Sequence, residues 1–193
     1  KVILVQFVSL KRGGEKISMS TRSGEFETLS DVIKEVGVDA TRFFFLMRSS
    51  DSHLDFDLEL AKKESPENPV FYIQYAHARI CSIFRNAAEQ GLILSKSTDI
   101  DLALLKEVEE LSIIKKILAF TEIVEKSAQS LEVHRIAFYL QDLVGAFHGY
   151  YSRHRVVSED YSLSLARLFL MDCLRVTISN ALSVMGVSAP ERM

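Results

Sequence analysis

The residues of this chain best suited to chemistry are aromatic and basic. Tyr72, Tyr75 and Arg79 follow one another at spacings of three and four, and Ser82 and Asn86 continue the series, so on a helix they share one face. Rings beside a guanidinium offer stacking surfaces for unpaired bases and a planar cation for phosphate, the contacts by which single-stranded RNA loops are held. Ordinary packing with the tyrosine hydroxyls at the rim is the competing reading. Phe147, Tyr150, Tyr151, Arg153, His154 and Arg155 form a second aromatic and basic cluster, on a segment where Gly145 and Gly149, four apart, predict the close approach of another helix. Lys16 to Gly24 is a polar, basic loop. It could hold phosphate through backbone N–H groups, hydroxyls and cations, although a surface turn would use the same residues. Asp51, His53, Asp55 and Asp57 alternate along the chain. A metal site is conceivable there, but an extended segment with Leu54 and Phe56 on its other side, and Asp57 capping the next helix, is preferred.

Composition sets limits on what these residues can serve. A chain of 193 residues that is 48% apolar and 25% charged can bury one core, or one main domain with a smaller companion. Only 8 glycines and 3 prolines, with apolar residues recurring every three or four positions, favour helices. The formal net charge of −3 gives no general pointer to nucleic acid. One local bias does: from Ala128 onward the chain carries Arg135, Arg153, Arg155, Arg167, Arg175 and Arg192 and no lysine, a choice that suits bidentate phosphate or base contacts. No stretch approaches the roughly 18 apolar residues of a membrane span, and the opening Lys1–Gln6 is too short for a signal sequence. A soluble, cytoplasmic protein with no membrane partner is expected, with Cys81 and Cys173 as reduced, buried thiols.

The elements that would position these residues are mostly helical. Val2 to Leu10 reads as a strand, Lys11 to Glu15 as a turn and Lys16 to Ser20 as a short return strand; a hairpin this small must pack on something larger. Thr28-Leu29-Ser30-Asp31 has capping-box spacing for a helix over Leu29 to Val36 ending at Gly37, and Asp39 would cap the next, over Ala40 to Ser49. Asp57 would cap a short helix through Ala61. Ser65-Pro66 predicts the start of a long helix reaching Gln90, with Ile73, His77, Ile80 and Phe84 as its apolar stripe and His77 a hydrogen-bonded core histidine. Thr98 to Asp101 repeats the capping pattern before a helix whose buried stripe would be Leu105, Val108, Leu111, Ile114, Leu118 and Val124. Two more helices follow, over Leu131 to Ser152 and Asp160 to Met185. The fold class is therefore mainly α: an antiparallel helical bundle over residues 65–193, preceded by a small β-hairpin and helical region over residues 1–64.

Several ordered motifs point further. Met19-Ser20 with Arg22, Gly24 and the helix-opening Thr28-Leu29 is similar to the Lys-Met-Ser-Lys loop of class I aminoacyl-tRNA synthetases. Gly37 to Phe44, Asp51 to Asp57, Glu67 to Arg79 and the closing Gly186 to Met193 resemble, in order, the arginine enzymes of that class. The resemblance covers nearly the whole chain, and is most specific from Met19 to Arg79. It implies that residues 1–64 are the end of a class I catalytic domain and that residues 65–193 form a helical anticodon-binding domain. The whole enzyme would be an arginine–tRNA ligase using arginine, ATP with Mg²⁺, and arginine tRNA; a monomer is expected. It further implies that Ser18, Met19, Ser20, Thr21 and Arg22 meet ATP, and that Tyr72, Tyr75, Ala76, Arg79, Tyr150, Tyr151, Arg153 and Met193 meet tRNA. Ser18 and Thr21 stand where the motif usually carries lysines, so the loop alone would neutralise less transition-state charge. The other class I element, His-Ile-Gly-His, is absent. This piece is therefore not expected to catalyse alone, to need a cofactor of its own, or to hold a metal. The alternatives are the anticodon-binding part of another class I synthetase, such as the cysteine enzyme, or a helical protein-interaction module.

Overall fold

The computed structural model describes residues 2–17, 27–94 and 99–193. Gly13 and Gly14, at φ of 61° and 87°, turn the chain between β1 (Val8–Arg12) and β2 (Glu15–Lys16), a backbone conformation open to glycine for lack of a Cβ. The turn is held by Asp57, whose carboxylate accepts the N–H groups of Gly13 at 3.2 Å and Gly14 at 2.9 Å. The same side chain caps α3 (Leu58–Lys62) through Glu59 and Leu60 N–H. Asp57 closes β3 (Leu54–Asp57), which runs parallel to β1 with Val8 opposite Leu54, giving the order β2-β1-β3. Alternation along β3 buries Leu54 and Phe56 and turns Asp55 toward Lys11 at 2.7 Å. The acidic segment is extended and Asp57 caps the next helix as its pattern indicated, but it is a paired strand rather than a pinned loop, because β1 supplies a parallel neighbour. The first strand is shorter than its apolar sequence suggested: β3 starts opposite Val8, and Val2, Leu4, Val5 and Phe7 are largely exposed.

Helix α1 (Leu29–Val36) opens with the capping box of Thr28 and Asp31. Gly37, at φ 86°, ends it and precedes α2 (Val38–Leu46), which seats Phe43 and Phe44 in the core. Asp39 does not cap α2. It lies inside the first turn, and its carboxylate accepts from Gln74 Nε2 at 2.8 Å and from the N–H of Ser188 at 3.2 Å. The long helix α4 (Pro69–Glu89) starts three residues later than Ser65-Pro66 indicated. Asn68-Pro69 repeats the same cap-then-proline pattern and prevails because the buried Asn68 amide makes three bonds: it accepts Val70 N–H and donates to the carbonyls of Ala61 and Lys63.

Helices α4, α5 (Val108–Ser130), α6 (His134–Tyr151) and α7 (Tyr161–Val184) form the bundle. Their buried side chains join those of α2, α3 and the sheet in one continuous core. Asp101 caps only a short 3-10 turn, Leu102–Leu104, and α5 starts at Val108 behind a Glu107/Glu110 capping box. The expected stripe of α5 is out of phase. Val108 and Leu118 are 79% and 74% exposed, and Leu111 is exposed too, while Leu105 is buried and Ile114 and Val124 are half-buried. The inner face instead carries Ile113 and Glu110, both fully buried. Arg167 Nε meets the Glu110 carboxylate at 2.8 Å and Arg167 Nη1 donates to the Arg155 carbonyl. A hydropathy reading assigns a glutamate to solvent, and here its partner lies on α7.

Candidate nucleic-acid interface

The face of α4 that carries Tyr75 and Arg79 meets the end of α6 and the chain that follows α7. Arg79 lies over two rings, 4.8 Å from the Tyr151 centroid and 5.6 Å from that of Tyr75, and its Nη1 donates to the Tyr75 hydroxyl. The tyrosine platform is built from beneath. Phe71 and His148 stack on Tyr75 at 6.1 and 6.2 Å, and His148 packs on Tyr72 at 4.6 Å. Tyr72 is thereby half-buried, and burial raises the pKa of its hydroxyl. His148 is moved the other way, because burial disfavours its charged form, which outweighs the hydrogen bond it donates to the Tyr72 backbone carbonyl, and Arg79 nearby adds to the effect.

The segment after α7 lies along α4. His77, buried as expected, donates from Nδ1 to the Pro190 carbonyl at 2.8 Å. Arg85 Nη1 donates to the Glu191 carbonyl at 3.2 Å. Arg192 and Met193 then close a cleft of about 530 Å³ whose polar lining includes Tyr75, Arg79, Ser82, Asn86 and Tyr151. A second cleft of about 270 Å³ shares Asn86 and Tyr151 and continues to Arg155 and His154. The result is a groove with aromatic faces at its centre and guanidinium groups along its length.

Ion pairing sets the arginines of this groove apart from four others of the bundle. Arg135, Arg153, Arg167 and Arg175 are each paired with a carboxylate, of Glu132, Glu109, Glu110 and Asp172 respectively. Among the described residues, none lies within ion-pair distance of Arg79, Arg85, Arg155 or Arg192. These four cations supply local positive potential on a chain of net charge −3. A further cleft of about 600 Å³ beside α1, α3 and α4 mixes Glu35, Glu64, Lys62 and Lys63, so its charges oppose one another. There Arg12 and Lys62 hydrogen-bond Glu35 and draw its pKa down to about 2, a lock between β1, α1 and α3.

The structure brings Tyr75, Arg79, Tyr151 and Met193 together and sets Tyr72 behind them. It removes two residues from the expected site. Ala76 and Tyr150 are both 0% exposed, and the Tyr150 hydroxyl donates to Glu110 at 3.4 Å, so neither has surface to offer a ligand. Arg153 is exposed but faces Glu109, outside both clefts. Among the described residues no helix comes close to Gly145 or Gly149, since a Cβ at either would meet nothing within 4 Å; both are exposed. Arg155 comes from the second aromatic and basic cluster read in the sequence, whereas Arg85 was not foreseen. Arg85 stands three residues beyond Ser82 on the flank of the same helix face, and charge was its only signal. Ser18, Met19, Ser20, Thr21 and Arg22 lie outside the described residues.

This helical architecture, with its groove at the end of the bundle, has known counterparts. The family model described as the DALR anticodon binding domain matches residues 73–193, and the chain belongs to that family. Two relatives named arginine–tRNA ligase show the likeness in sequence. An arginine–tRNA ligase of Syntrophotalea carbinolica is 55% identical over 193 residues, which are all of this chain and 35% of that protein. One of Geotalea daltonii is 54% identical over 99% of this chain and 34% of that protein. The chain thus spans about a third of the length of the curated relatives it matches. Among solved structures, a Campylobacter jejuni chain described as an arginyl-tRNA synthetase superposes with a TM-score of 0.80 at 31% identity, over 98% of this chain and 40% of that one. Thermus thermophilus arginyl-tRNA synthetase shares the fold at a TM-score of 0.72 and 24% identity, over 95% of this chain and 34% of that one.

Proposed function

We propose that this chain is the tRNA-reading part of an arginine–tRNA ligase, and that its groove holds the anticodon region of arginine tRNA. The observation that carries the reading is the coincidence of four arginines without carboxylate partners among the described residues and two tyrosine rings, Tyr75 exposed and Tyr151 half-buried, in one continuous groove. Stacking on Tyr75 and Tyr151 would hold unpaired bases, and the guanidinium groups would meet phosphates or base edges. The relatives' name and the anticodon-binding family support the same partner.

In this reading the division lies near Ser65, with residues 1–64 belonging to the end of the catalytic domain and residues 65–193 to the binding domain. The longer protein would take arginine, ATP with Mg²⁺, and arginine tRNA, work in the cytoplasm and be monomeric. No described helix is long and apolar enough to cross a membrane. The glycine turn before the basic loop does not itself cradle phosphate, because both its N–H groups donate to Asp57. In this reading residues 65–193 bind and orient the tRNA, while contact with ATP is left to residues 18–22 and to the rest of the longer protein.

A titration tests the reading. The chain should bind arginine tRNA in preference to tRNAs of other specificity at low salt, with affinity falling steeply as salt rises. Equal binding of all tRNAs would refute it.

A further inference from the structure

The segment that follows α7 is fastened at several points, and two of the fastenings come from outside the bundle. Gly186, at φ 67°, turns the chain so tightly over α2 that a Cβ there would lie 2.5 Å from Arg42 Nη1. Val187 is buried. Ser188 then gives both its N–H, at 3.2 Å, and its hydroxyl to the Asp39 carboxylate. Gln74 Nε2 bridges the two elements, donating to Asp39 at 2.8 Å and to the Ser188 carbonyl at 3.0 Å. Two residues on, His77 takes the Pro190 carbonyl. Arg192 and Met193, directly beyond, line the groove.

We infer that Asp39, Gln74 and His77 are positioning residues: they clamp residues 186–191 against α4 and so set Arg192 and Met193 in the groove before tRNA arrives. The inference rests on the tRNA-reading role proposed above. A free tail would have to be ordered at each binding event, and that conformational entropy would subtract from affinity. The clamp removes the loss in advance. Its anchor, Asp39, lies on α2, before the span matched by the family model, so the small region acts on a groove to which none of its described residues contributes a side chain.

Charge gives this inference a test of opposite sign. Asp39→Asn keeps the shape and removes a negative charge from a surface that meets RNA. If Asp39 were only a surface carboxylate, its loss would leave tRNA binding unchanged or tighten it. If it is the clamp, affinity for transcribed arginine tRNA should fall about five- to tenfold, as for the loss of charge-assisted hydrogen bonds. Ser188→Ala, which breaks the same contact from the tail side, should weaken binding in the same direction. Joined to Arg192→Ala, Asp39→Asn should add little, because both changes remove one contribution. In the RNA-free chain, amide hydrogen exchange across residues 187–191 should accelerate in Asp39→Asn while that of α7 stays as in the wild type. Unchanged exchange overturns the clamp. A loosened tail with unchanged or tighter tRNA binding, or full additivity with Arg192→Ala, overturns the positioning role. If the wild-type chain shows no preference for arginine tRNA, the proposed function and the positioning role fall together, while exchange still decides whether the clamp exists.

Discussion

Replacing Arg79 by lysine should separate stacking from charge. Arg79 lies 4.8 Å from the Tyr151 ring and 5.6 Å from the Tyr75 ring, both inside the roughly 6 Å over which a cation interacts with an aromatic face. Each contact at an exposed site contributes about 0.5–1 kcal/mol. Lysine keeps the positive charge but loses the planar fork that stacks on the rings and bonds the Tyr75 hydroxyl. These contacts hold the guanidinium in place before tRNA binds, so Arg79→Lys, which loses that ordering, should weaken arginine-tRNA binding by up to about 1–2 kcal/mol, a factor of at most about five to thirty, with the salt dependence unchanged. Arg79→Ala should weaken it further and reduce the slope of log affinity against log salt by about 0.7, the share of one phosphate on a single strand. Filter binding or fluorescence anisotropy at several salt concentrations measures both quantities. If Arg79→Lys binds like the wild type, the stacking argument fails. If Arg79→Ala leaves the slope intact, Arg79 meets no phosphate.

Other expectations concern the frame behind the groove. Arg167→Leu leaves the fully buried Glu110 carboxylate with only the Tyr150 hydroxyl and its own capping bonds, and should destabilise the chain by about 3–5 kcal/mol in urea unfolding; a loss below about 1 kcal/mol would show that water reaches the site. His148 has its pKa lowered by burial, so between that native value and the ordinary value of about 6.5 the unfolded chain binds more protons. Stability should accordingly fall as pH drops through that window, and His148→Gln should flatten the dependence in urea midpoints taken on either side of it; identical pH profiles would refute the account. Gly145→Ala and Gly149→Ala meet open space inside an exposed helix face, and each should stabilise the chain by about 0.5–1 kcal/mol, read as a higher unfolding midpoint. Destabilisation would mean that a neighbour approaches there after all.

What was legible in the sequence was local. Thr28 and Asp57 cap the helices that follow them because a capping bond spans only two or three residues. The apolar period of α4 placed His77 inside and Tyr75 and Arg79 on an accessible flank. The motifs from Met19 to Arg79 carried the resemblance to the arginine enzymes, and the DALR family match and the relatives agree with it.

What only the tertiary structure decided was pairing across long separations. Tyr150 and Tyr151 are consecutive and chemically alike, yet the roughly 100° between neighbours on a helix sends one into the core and the other into the groove. The phase of α5 follows from Glu110 finding Arg167 across 57 positions, and a one-dimensional hydropathy pattern carries no record of such a partner. The arginine bias of the last third showed which cations the region uses, but it is balanced by as many carboxylates, and which cations remain without a carboxylate depends on where those side chains and glutamates from other helices come to rest. Asp39 shows the same limit: its neighbours in sequence suggest a helix cap, whereas folding brings Ser188 to it across 149 positions and makes it an anchor for the chain that closes the groove.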